Sequence, residues 1–295
     1  MRVVDIHVHT FPEKIAASAL NTLQSKSHTR PFTNGTINGL CASMREAGIT
    51  SSVLQPVATR ADQVTRINDN AIKINTQAKE KGIYSFGAMH PEFLNYDSEL
   101  TRIKAAGICG IKLHPVYQGV SIDDERYIKI LARAFELGLI VLIHAGWDIG
   151  FPGNDYAMPW RISEALRASG LTSSSRVILA HMGGWRAWDE ACEIFADVEG
   201  VYIDTAFSLG RFYSNNDGYY KSIDECKMLN SEKFMTIIKS FGAERVLFGS
   251  DSPWASQFES VKAINALDLI DREKNLILYE NAERLVESLD PAFSR

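Results

Sequence analysis

Short hydrophobic segments rich in β-branched residues alternate with longer segments of helical periodicity along the whole chain. Apolar runs of about four to eight residues are typical of strands that are buried on both faces. We predict eight such strands: Val3–Val8, Ser52–Val57, Ile83–Met89, Cys109–His114, Leu139–His144, Arg176–His181, Val201–Thr205 and Arg245–Asp251. Because these strands alternate with helices, the pattern predicts a parallel sheet.

The segments between the strands carry apolar residues at helical spacing. Asp124–Leu137 is predicted to be a helix, with one face formed by Tyr127, Ile130, Leu131, Ala134 and Phe135. Lys262–Ile270 is predicted to be a helix after the last strand. Gly48 and Gly138 follow helical segments at positions where a left-handed residue commonly ends a helix.

Eight strand–helix units in one chain favour an α/β fold of the (β/α)₈ or TIM-barrel type, as a single domain over residues 1–295. A doubly wound sheet is the alternative, but the glycine-rich loop expected after its first strand is absent. Two long connections, Thr10 to about Thr36 and Ala206 to about Asn230, follow the first and seventh strands. In a barrel both would lie at the C-terminal face, where catalytic loops are found.

Composition narrows the class of protein. Of the 295 residues 45% are hydrophobic and 23% are charged, and the net charge of −5 argues against nucleic acid or an anionic membrane as a partner. The cysteines form no CxxC pair, which argues against a disulfide framework or a thiolate zinc site; they are Cys41, Cys109, Cys192 and Cys226. Without a secretory signal or a long apolar run, we expect a cytoplasmic protein with a small-molecule substrate. A homodimer is a possible assembly of this chain.

The histidines are concentrated at strand ends. Of the seven, His28 lies in the first long connection, and the others fall at or just after the C-terminal ends of predicted strands: His7, His9, His90, His114, His144 and His181. A barrel brings those ends to one rim, which is where this fold carries its active sites. The distribution therefore predicts a functional site at the rim.

A metal site is the chemistry that these residue types favour. His7 and His9 are two residues apart on a strand, so their side chains point to one face and can coordinate one ion. The alternative is that they are a hydrogen-bonded pair of core histidines. Asp5 would share that face, as an acceptor for an imidazole or as a solvated residue. His144 and Asp251 are the last residues of apolar strands. Each also has an explanation that involves no metal: His144 as a structural histidine and Asp251 as the cap of the following helix. Together, three imidazoles and a carboxylate suit a catalytic Zn²⁺ or a similar ion.

These residues resemble those of the amidohydrolase superfamily. The sequence motifs around them resemble its amidohydrolase 2 branch, which includes the aminocarboxymuconate-semialdehyde decarboxylase-like enzymes. The matching motifs are DIHVHTFP from Asp5, GIKLHP from Gly110, LAHMGG from Leu179 and FGSDSPW from Phe248, which together span nearly the whole chain. The resemblance implies that His7, His9, His144 and Asp251 bind the metal. It also implies that His181 binds a second metal or holds the reactive water.

The resemblance also draws attention to Lys112 on the fourth strand. Superfamily members with two metals bridge them by a carboxylated lysine or a glutamate at this strand. We predict that Lys112 points into the barrel, stays unmodified, and meets a carboxylate of the substrate, Asp5 or Asp251, because His114 crowds the place of a bridge. One ion per chain is expected, Zn²⁺ first and Mn²⁺ second.

Residues on the βα loops are candidates for substrate contact. Aromatic walls with a cation would suit a planar carboxylated substrate. The predicted substrate-binding residues are Lys112, His114, Trp147, Arg186 and Trp254, with Asp148, Trp185 and Arg60 as further candidates. The alternative is that the tryptophans merely pack the loops over the rim.

Three functions follow from this site. The first is a metal-dependent hydrolase of a C–N or C–O bond in a small amide, lactone or similar carboxylated substrate, with Asp251 as general acid and base and His181 as the residue that orients water or polarises the carbonyl. The second is a metal-dependent, non-oxidative decarboxylase of an aromatic or muconate-like acid. The third is a metal-binding barrel without catalysis. The motifs do not separate the first two, because one fold and site can host different chemistry.

Overall fold

The computed structural model describes residues 2–287. Its parallel strands are β1 (Val4–Val8), β2 (Ser51–Leu54), β3 (Ile83–Ser85), β4 (Gly87–Ala88), β5 (Gly110–Leu113), β6 (Ile140–Ile143), β7 (Val177–Leu179), β8 (Val201–Asp204) and β9 (Val246–Leu247). They form two sheets in sequence order, β1–β2–β3 and β4 to β9. The predicted third strand is thus observed as β3 and β4, separated at Phe86.

Backbone hydrogen bonds across both seams close the two sheets into a barrel. Phe86 N donates to Leu54 O over 3.0 Å at one seam. At the other, Ile6 N donates to Phe248 O over 2.9 Å, and Val8 forms a parallel bridge with Ser252. The predicted (β/α)₈ barrel, formed as a single domain, is therefore confirmed, and the doubly wound alternative is wrong.

Helices cover the outside of the barrel and part of its rim. They are α1 (Glu13–Ser27), α2 (Ile37–Ala47), α3 (Val64–Asn75), α4 (Ala78–Lys81), α5 (Tyr96–Ala105), α6 (Pro115–Gln118), α7 (Glu125–Glu136), α8 (Pro159–Ala168), α9 (Trp188–Phe195), α10 (Ser231–Phe241), α11 (Gln257–Asn265), α12 (Asp271–Asn275) and α13 (Asn281–Glu287), with a π-helix at Leu276–Glu280. Within residues 2–287, no helix has the length and apolar character needed to cross a membrane.

The helix predicted at Asp124–Leu137 is α7, which begins after Asp124 because the Asp124 side chain accepts a hydrogen bond from Arg126 N. The helix predicted at Lys262–Ile270 is wrong in its bounds. The observed α11 begins five residues earlier, after Ser256, whose hydroxyl accepts from Glu259 N. The periodic pattern marked the buried face of α11 but not the residue that caps it.

The two long connections meet above the C-terminal face. The first contains α1, and the second is irregular apart from a short 3₁₀ turn at Ile223–Cys226. Arg30 N donates to Tyr213 O over 2.8 Å, and the Tyr220 hydroxyl donates to Ser27 O over 3.0 Å. The first and seventh βα loops are therefore fastened to each other at the mouth of the barrel.

Candidate metal centre and cavity

A register shift in β1 determines which side chains enter the barrel. The parallel pairing with β2 is irregular between Asp5 and Val8. Ile6 packs with the interior residues of the other strands, and His7 also reaches the interior, where its Nε2 lies 3.4 Å from Lys112 Nζ. The strict alternation of inward and outward side chains along β1 is therefore interrupted, as it is at a β-bulge.

Asp5 consequently does not share the face of the two histidines, and that part of the sequence interpretation is wrong. Its carboxylate accepts from Gln257 Nε2 of α11 over 2.8 Å and from the Ser250 hydroxyl over 2.6 Å. It is fully buried, so it is not a solvated residue either. Because it also accepts from the backbone N–H groups of His7 and Ser250, Asp5 ties β1 to the segment that carries Asp251.

His7, His9 and Asp251 bring three ligand atoms together at the rim. His7 Nε2 lies 3.2 Å from His9 Nε2, and Asp251 Oδ1 lies 3.2 Å from His9 Nε2 and 3.6 Å from His7 Nε2. We call this group the HHD centre. Its atoms all lie within 4.8 Å of one another, as the ligands of one ion would.

Hydrogen bonds on the far side of each ring fix which nitrogen faces the centre. His7 Nδ1 lies 2.7 Å from Asp204 Oδ2, and His9 Nδ1 lies 2.8 Å from Gln55 O. Both partners are acceptors, so each Nδ1 carries a proton and each neutral ring presents the Nε2 lone pair to the centre. Burial lowers the pKa of His7 well below its usual value, which favours the neutral ring.

Asp251 is held beside the histidines by backbone geometry. Asp251 N donates to His7 O over 2.8 Å, and its φ of 68° is left-handed, a conformation that costs energy in a residue other than glycine. Burial raises the pKa of Asp251, but its contacts with His9, His7 and His181 lower it overall. The carboxylate is therefore ionised at neutral pH and can accept a proton or a cation.

Asp204 is a site residue that the sequence interpretation missed. It is fully buried at the end of β8, where Oδ2 accepts from His7 Nδ1 and Oδ1 accepts from His181 N over 2.9 Å. Burial raises its pKa, and the charge of His181 opposes that rise. Asp204 ends an apolar strand, as Asp251 does, and a carboxylate in that position is costly to bury unless it is paired.

His144 and His181 form a second contact beside the HHD centre. His181, also left-handed with φ 61°, donates from Nδ1 to Ala206 O over 3.0 Å, and its Nε2 lies 3.2 Å from His144 Nδ1. His144 Nε2 belongs to a different group of potential ligands, with His114 and Asp148. The structure therefore does not bring His144 into the group formed by His7, His9 and Asp251.

Lys112 points into the barrel, as predicted, and is 1% exposed. Burial lowers its pKa to about 8, against the opposing charges of Asp204, Asp251 and Asp148. Among the described residues no carboxylate lies within ion-pair distance of Nζ, whose hydrogen-bond partner is His7 Nε2. The expected ion pair with Asp5 or Asp251 is thus not formed, since Asp5 faces α11 and Asp251 faces His9.

A cavity of about 1070 Å³ opens over these groups. It is lined by both metal-type clusters and by aromatic side chains, namely Phe11, Tyr117, Trp147, Trp185, Phe207 and Trp254. The volume is at the upper end of the range for small-molecule sites, which runs to about 1000 Å³. Lys112, His114, Trp147, Asp148, Trp185 and Trp254 all line this cavity.

Four other candidates lie outside this cavity. Arg186 is exposed and donates to Glu225 O over 3.0 Å, and Arg60 is exposed in an ion pair with Asp62. His28 stacks on Tyr219 with ring centroids 3.8 Å apart. His90 is buried and uses Nδ1 to accept from Glu92 N. Neither arginine is placed to hold a substrate carboxylate in the cavity.

The HHD centre fits a divalent cation by its donor set. Two imidazole lone pairs and a carboxylate oxygen face one another with their protons directed elsewhere, an arrangement that repels itself unless a cation lies between them. Imidazole and carboxylate together suit Zn²⁺, Mn²⁺ or a similar ion better than Ca²⁺. The centre also faces the cavity, so an ion there would be accessible to a substrate.

Asp204→Ala is expected to weaken metal binding at the HHD centre about 10–100-fold, because His7 loses the acceptor that fixes its tautomer and orientation. A competition titration against a chromophoric chelator measures the dissociation constant. Asp62→Asn, which changes an exposed carboxylate paired with Arg60, is the matched control. An unchanged dissociation constant in folded Asp204→Ala would show that Asp204 does not position His7.

Comparison with known proteins agrees with this architecture. Residues 4–287 match the family model described as amidohydrolase. A search of curated proteins finds no significant match. Among solved structures, an uncharacterised TIM-barrel protein from Bordetella bronchiseptica has a TM-score of 0.73 at 17% identity, with 100% of both chains covered.

Two decarboxylases are also similar in structure. The 5-carboxyvanillate decarboxylase of Sphingomonas paucimobilis has a TM-score of 0.66 at 15% identity, covering 97% of this chain and 99% of that one. The enzyme of that name from Novosphingobium aromaticivorans, solved with bound manganese, has a TM-score of 0.65 at 13% identity, covering 97% and 96%. At these identities the likeness concerns the fold. The family match over nearly the whole chain shows that this protein belongs to the amidohydrolase family and is a metal-dependent enzyme of the hydrolase or carboxy-lyase type.

Proposed function

We propose that this protein is a hydrolase of a C–N or C–O bond in a small carboxylated substrate, such as an amide or a lactone. The observation that carries the proposal is the HHD centre, in which Asp251 lies beside two imidazole lone pairs at the floor of the cavity. A divalent ion bound there would supply Lewis acidity and lower the pKa of water. His7, His9 and Asp251 are the residues proposed to hold it.

His144 is left out of this proposed ligand set, although the sequence motifs include it. Its Nδ1 faces His181 Nε2 at 3.2 Å. By distance His144 groups instead with His114 and Asp148. We therefore propose three protein ligands for one ion, with the other positions open to water and substrate.

Asp251 is proposed to carry the proton of the reaction. Its carboxylate is ionised at neutral pH, so it can take a proton from the attacking water and return it to the leaving group. His181, with Nδ1 committed to Ala206 O, lines the cavity and is proposed to orient the attacking water.

Lys112 and Trp185 are proposed to bind acceptor groups of the substrate. Lys112 Nζ has no carboxylate partner among the described residues, and the buried Trp185 Nε1 has no hydrogen-bond partner there. Both side chains line the cavity. The sequence interpretation assigned the binding of a substrate carboxylate to Arg186, and we propose Lys112 and Trp185 instead.

The test of this function is a reaction screen with metal-loaded protein. Small carboxylated amides, lactones and esters in ¹⁸O-labelled water are expected to yield a product that contains one ¹⁸O atom. Decarboxylation of an aromatic acid is the second candidate, favoured by the aromatic walls around Lys112 and by the two similar structures that are decarboxylases. Release of CO₂ with no ¹⁸O in the organic product would support it and contradict hydrolysis.

We expect one tightly bound divalent ion per chain, zinc first and manganese second. Elemental analysis of protein purified without chelator is the measurement. Less than about 0.2 equivalents in folded protein would contradict the HHD centre as a tight site. His7→Ala should abolish binding, while Arg60→Ala, an exposed change away from the cavity, should leave the metal content unchanged.

A second equivalent of metal per chain would contradict the one-ion proposal. Two ions would require Lys112 to be carboxylated and His144 and His181 to ligate the second ion, about 3.5–4 Å from the first. Diffraction data from the metal-loaded protein would show extra density on Lys112 Nζ and two anomalous peaks. We propose that Lys112 remains an amine and that a single peak appears at His7, His9 and Asp251.

A further inference from the structure

The cavity extends beyond the HHD centre, between one face of α1 and one face of α3. On α1 its lining residues recur every four positions, as residues on one face of a helix do: Ile15, Ala19, Leu23 and Ser27. On α3 they recur every three or four positions: Arg66, Ile67, Asn70, Ala71 and Ile74. We call the space between these two faces the apolar arm of the cavity. The chemistry proposed above uses none of these residues.

The apolar arm is continuous with the HHD centre. His9 Nδ1 donates to Gln55 O over 2.8 Å. Gln55, Pro56 and Val57 follow β2 along the chain and line the same cavity as the three ligand residues of the centre. A ligand with one end at the centre can therefore extend past Pro56 and Val57 into the arm without leaving the cavity.

Large aliphatic side chains line the arm without being fully buried. Ile15 is 51% exposed, and Leu23, Ile37, Ile67 and Ile74 are each only partly buried. The three isoleucines of α2 and α3 pack against the hydrophobic core and also line the cavity. Apolar surface in contact with water is unfavourable, so the arm favours a hydrophobic occupant over water or a charged group.

The helix α1 forms one wall of the arm and is held at both ends. At one end Asn38 Nδ2, near the start of α2, donates to Glu13 Oε1 over 3.0 Å. At the other end the Tyr220 hydroxyl donates to Ser27 O over 3.0 Å. These contacts hold the wall in place without filling the space behind it.

The length of the arm follows from the helix that lines it. Ile67 and Ile74 are seven residues apart, which is about 10 Å along the helix axis and about the length of an extended chain of eight carbon atoms. Lys81, two residues before β3, also lines the cavity, so the arm runs from the rim toward the opposite end of the barrel. A cavity of about 1070 Å³ has room for such a chain together with a head group at the centre.

We propose that the apolar arm binds an unbranched hydrocarbon chain of the substrate, with the carboxylated head of the substrate at the HHD centre and Lys112. The inference rests on the proposed function and narrows its substrate class to amphipathic amides or lactones with a chain of about six to ten carbon atoms. A hydrocarbon chain is the occupant that fits, because the arm opens onto the metal centre and its surface is aliphatic. Each methylene group that enters removes apolar surface of both the chain and the arm from water.

Calorimetric titration of zinc-loaded protein with straight-chain carboxylates tests the arm without turnover. The probes are acetate, butanoate, hexanoate and octanoate. The dissociation constant is expected to fall about two- to four-fold for each added methylene group, and therefore about 15-fold or more from butanoate to octanoate. We call this decrease the chain-length gain.

A matched pair of variants on α1 locates the chain. Ala19→Trp places an indole in the arm and should reduce the chain-length gain to less than about three-fold, because the added side chain occupies the space of the chain. Ala17→Trp makes the same change at an exposed position of α1 outside the cavity lining and should retain the gain. Should Ala19→Trp fail to fold, Ile67→Gln keeps a side chain of similar size, makes the wall polar, and should reduce the gain to less than about five-fold.

Several outcomes would overturn the proposal. They are equal affinity for butanoate and octanoate, no binding of octanoate, a gain that survives both Ala19→Trp and Ile67→Gln, and a gain that is lost in Ala17→Trp as well. Self-association of the wild-type protein that Ala19→Trp abolishes, without a chain-length gain, would assign the arm to a second copy of this chain instead. A chain-length gain without hydrolysis of any substrate would contradict the proposed function alone, and hydrolysis without the gain would contradict the arm alone.

Discussion

Asp251→Asn is expected to lower kcat about 10²–10⁴-fold on the substrate that the reaction screen identifies. The amide occupies the same space, and Asp251 N can still donate to His7 O over 2.8 Å, so the fold should survive. What is lost is the carboxylate, which is ionised at neutral pH because His9, His7 and His181 overcome the effect of burial on its pKa. An amide can neither accept nor return the proton.

The measurement must separate proton transfer from metal loss, because Asp251 is also a proposed ligand. Activity is therefore measured at saturating zinc, with the metal content determined on the same sample. Asp62→Asn, an exposed carboxylate change, is expected to keep wild-type activity. If folded, metal-loaded Asp251→Asn retained more than about a tenth of wild-type activity, Asp251 would not be the acid–base group and His181 would become the candidate.

Gly146→Ala is expected to destabilise the protein by about 2–5 kcal/mol. Gly146 has φ 84°, and a Cβ atom there would lie 2.3 Å from Trp185 N and 2.4 Å from Trp185 O. The segment after β6 runs parallel to the segment after β7 at this point, with Trp185 N donating to Ala145 O and Trp147 N donating to Trp185 O. Left-handed strain of about 1–2 kcal/mol and overpacking of about 1–3 kcal/mol therefore add.

Gly138→Ala is the matched control, because Gly138 is also left-handed, with φ 64°, but a Cβ atom there would meet nothing within 4 Å. It should cost only the backbone strain, about 1–2 kcal/mol. In thermal unfolding, Gly146→Ala should lower Tm at least twice as far as Gly138→Ala. Equal shifts would show that the approach of the Trp185 backbone is not as close as the structure has it.

The order of strands and helices could be read from the sequence, because each element carries its own periodicity and its own stop signals. The α7 helix was predicted to within one residue at each end, because Asp124 is a local cap and five apolar residues mark its face. The third strand, by contrast, was predicted as one segment and is observed as two, with Phe86 between them. Such irregularities arise from the closure of the barrel, which involves strands distant in sequence.

Strand order alone places six site residues at one end of the barrel, because parallel strands bring their C-terminal ends to one rim: His7, His9, Lys112, His144, His181 and Asp251. How these groups divide depends on contacts between strands that are distant in sequence. The register shift in β1 turned Asp5 toward α11, and Asp204 fixed His7 from a strand about 200 residues away in sequence. His144 joined His114 and Asp148 rather than the HHD centre. Strand position fixes which rim a side chain reaches, whereas its hydrogen-bond partners come from other strands, and no local pattern encodes them.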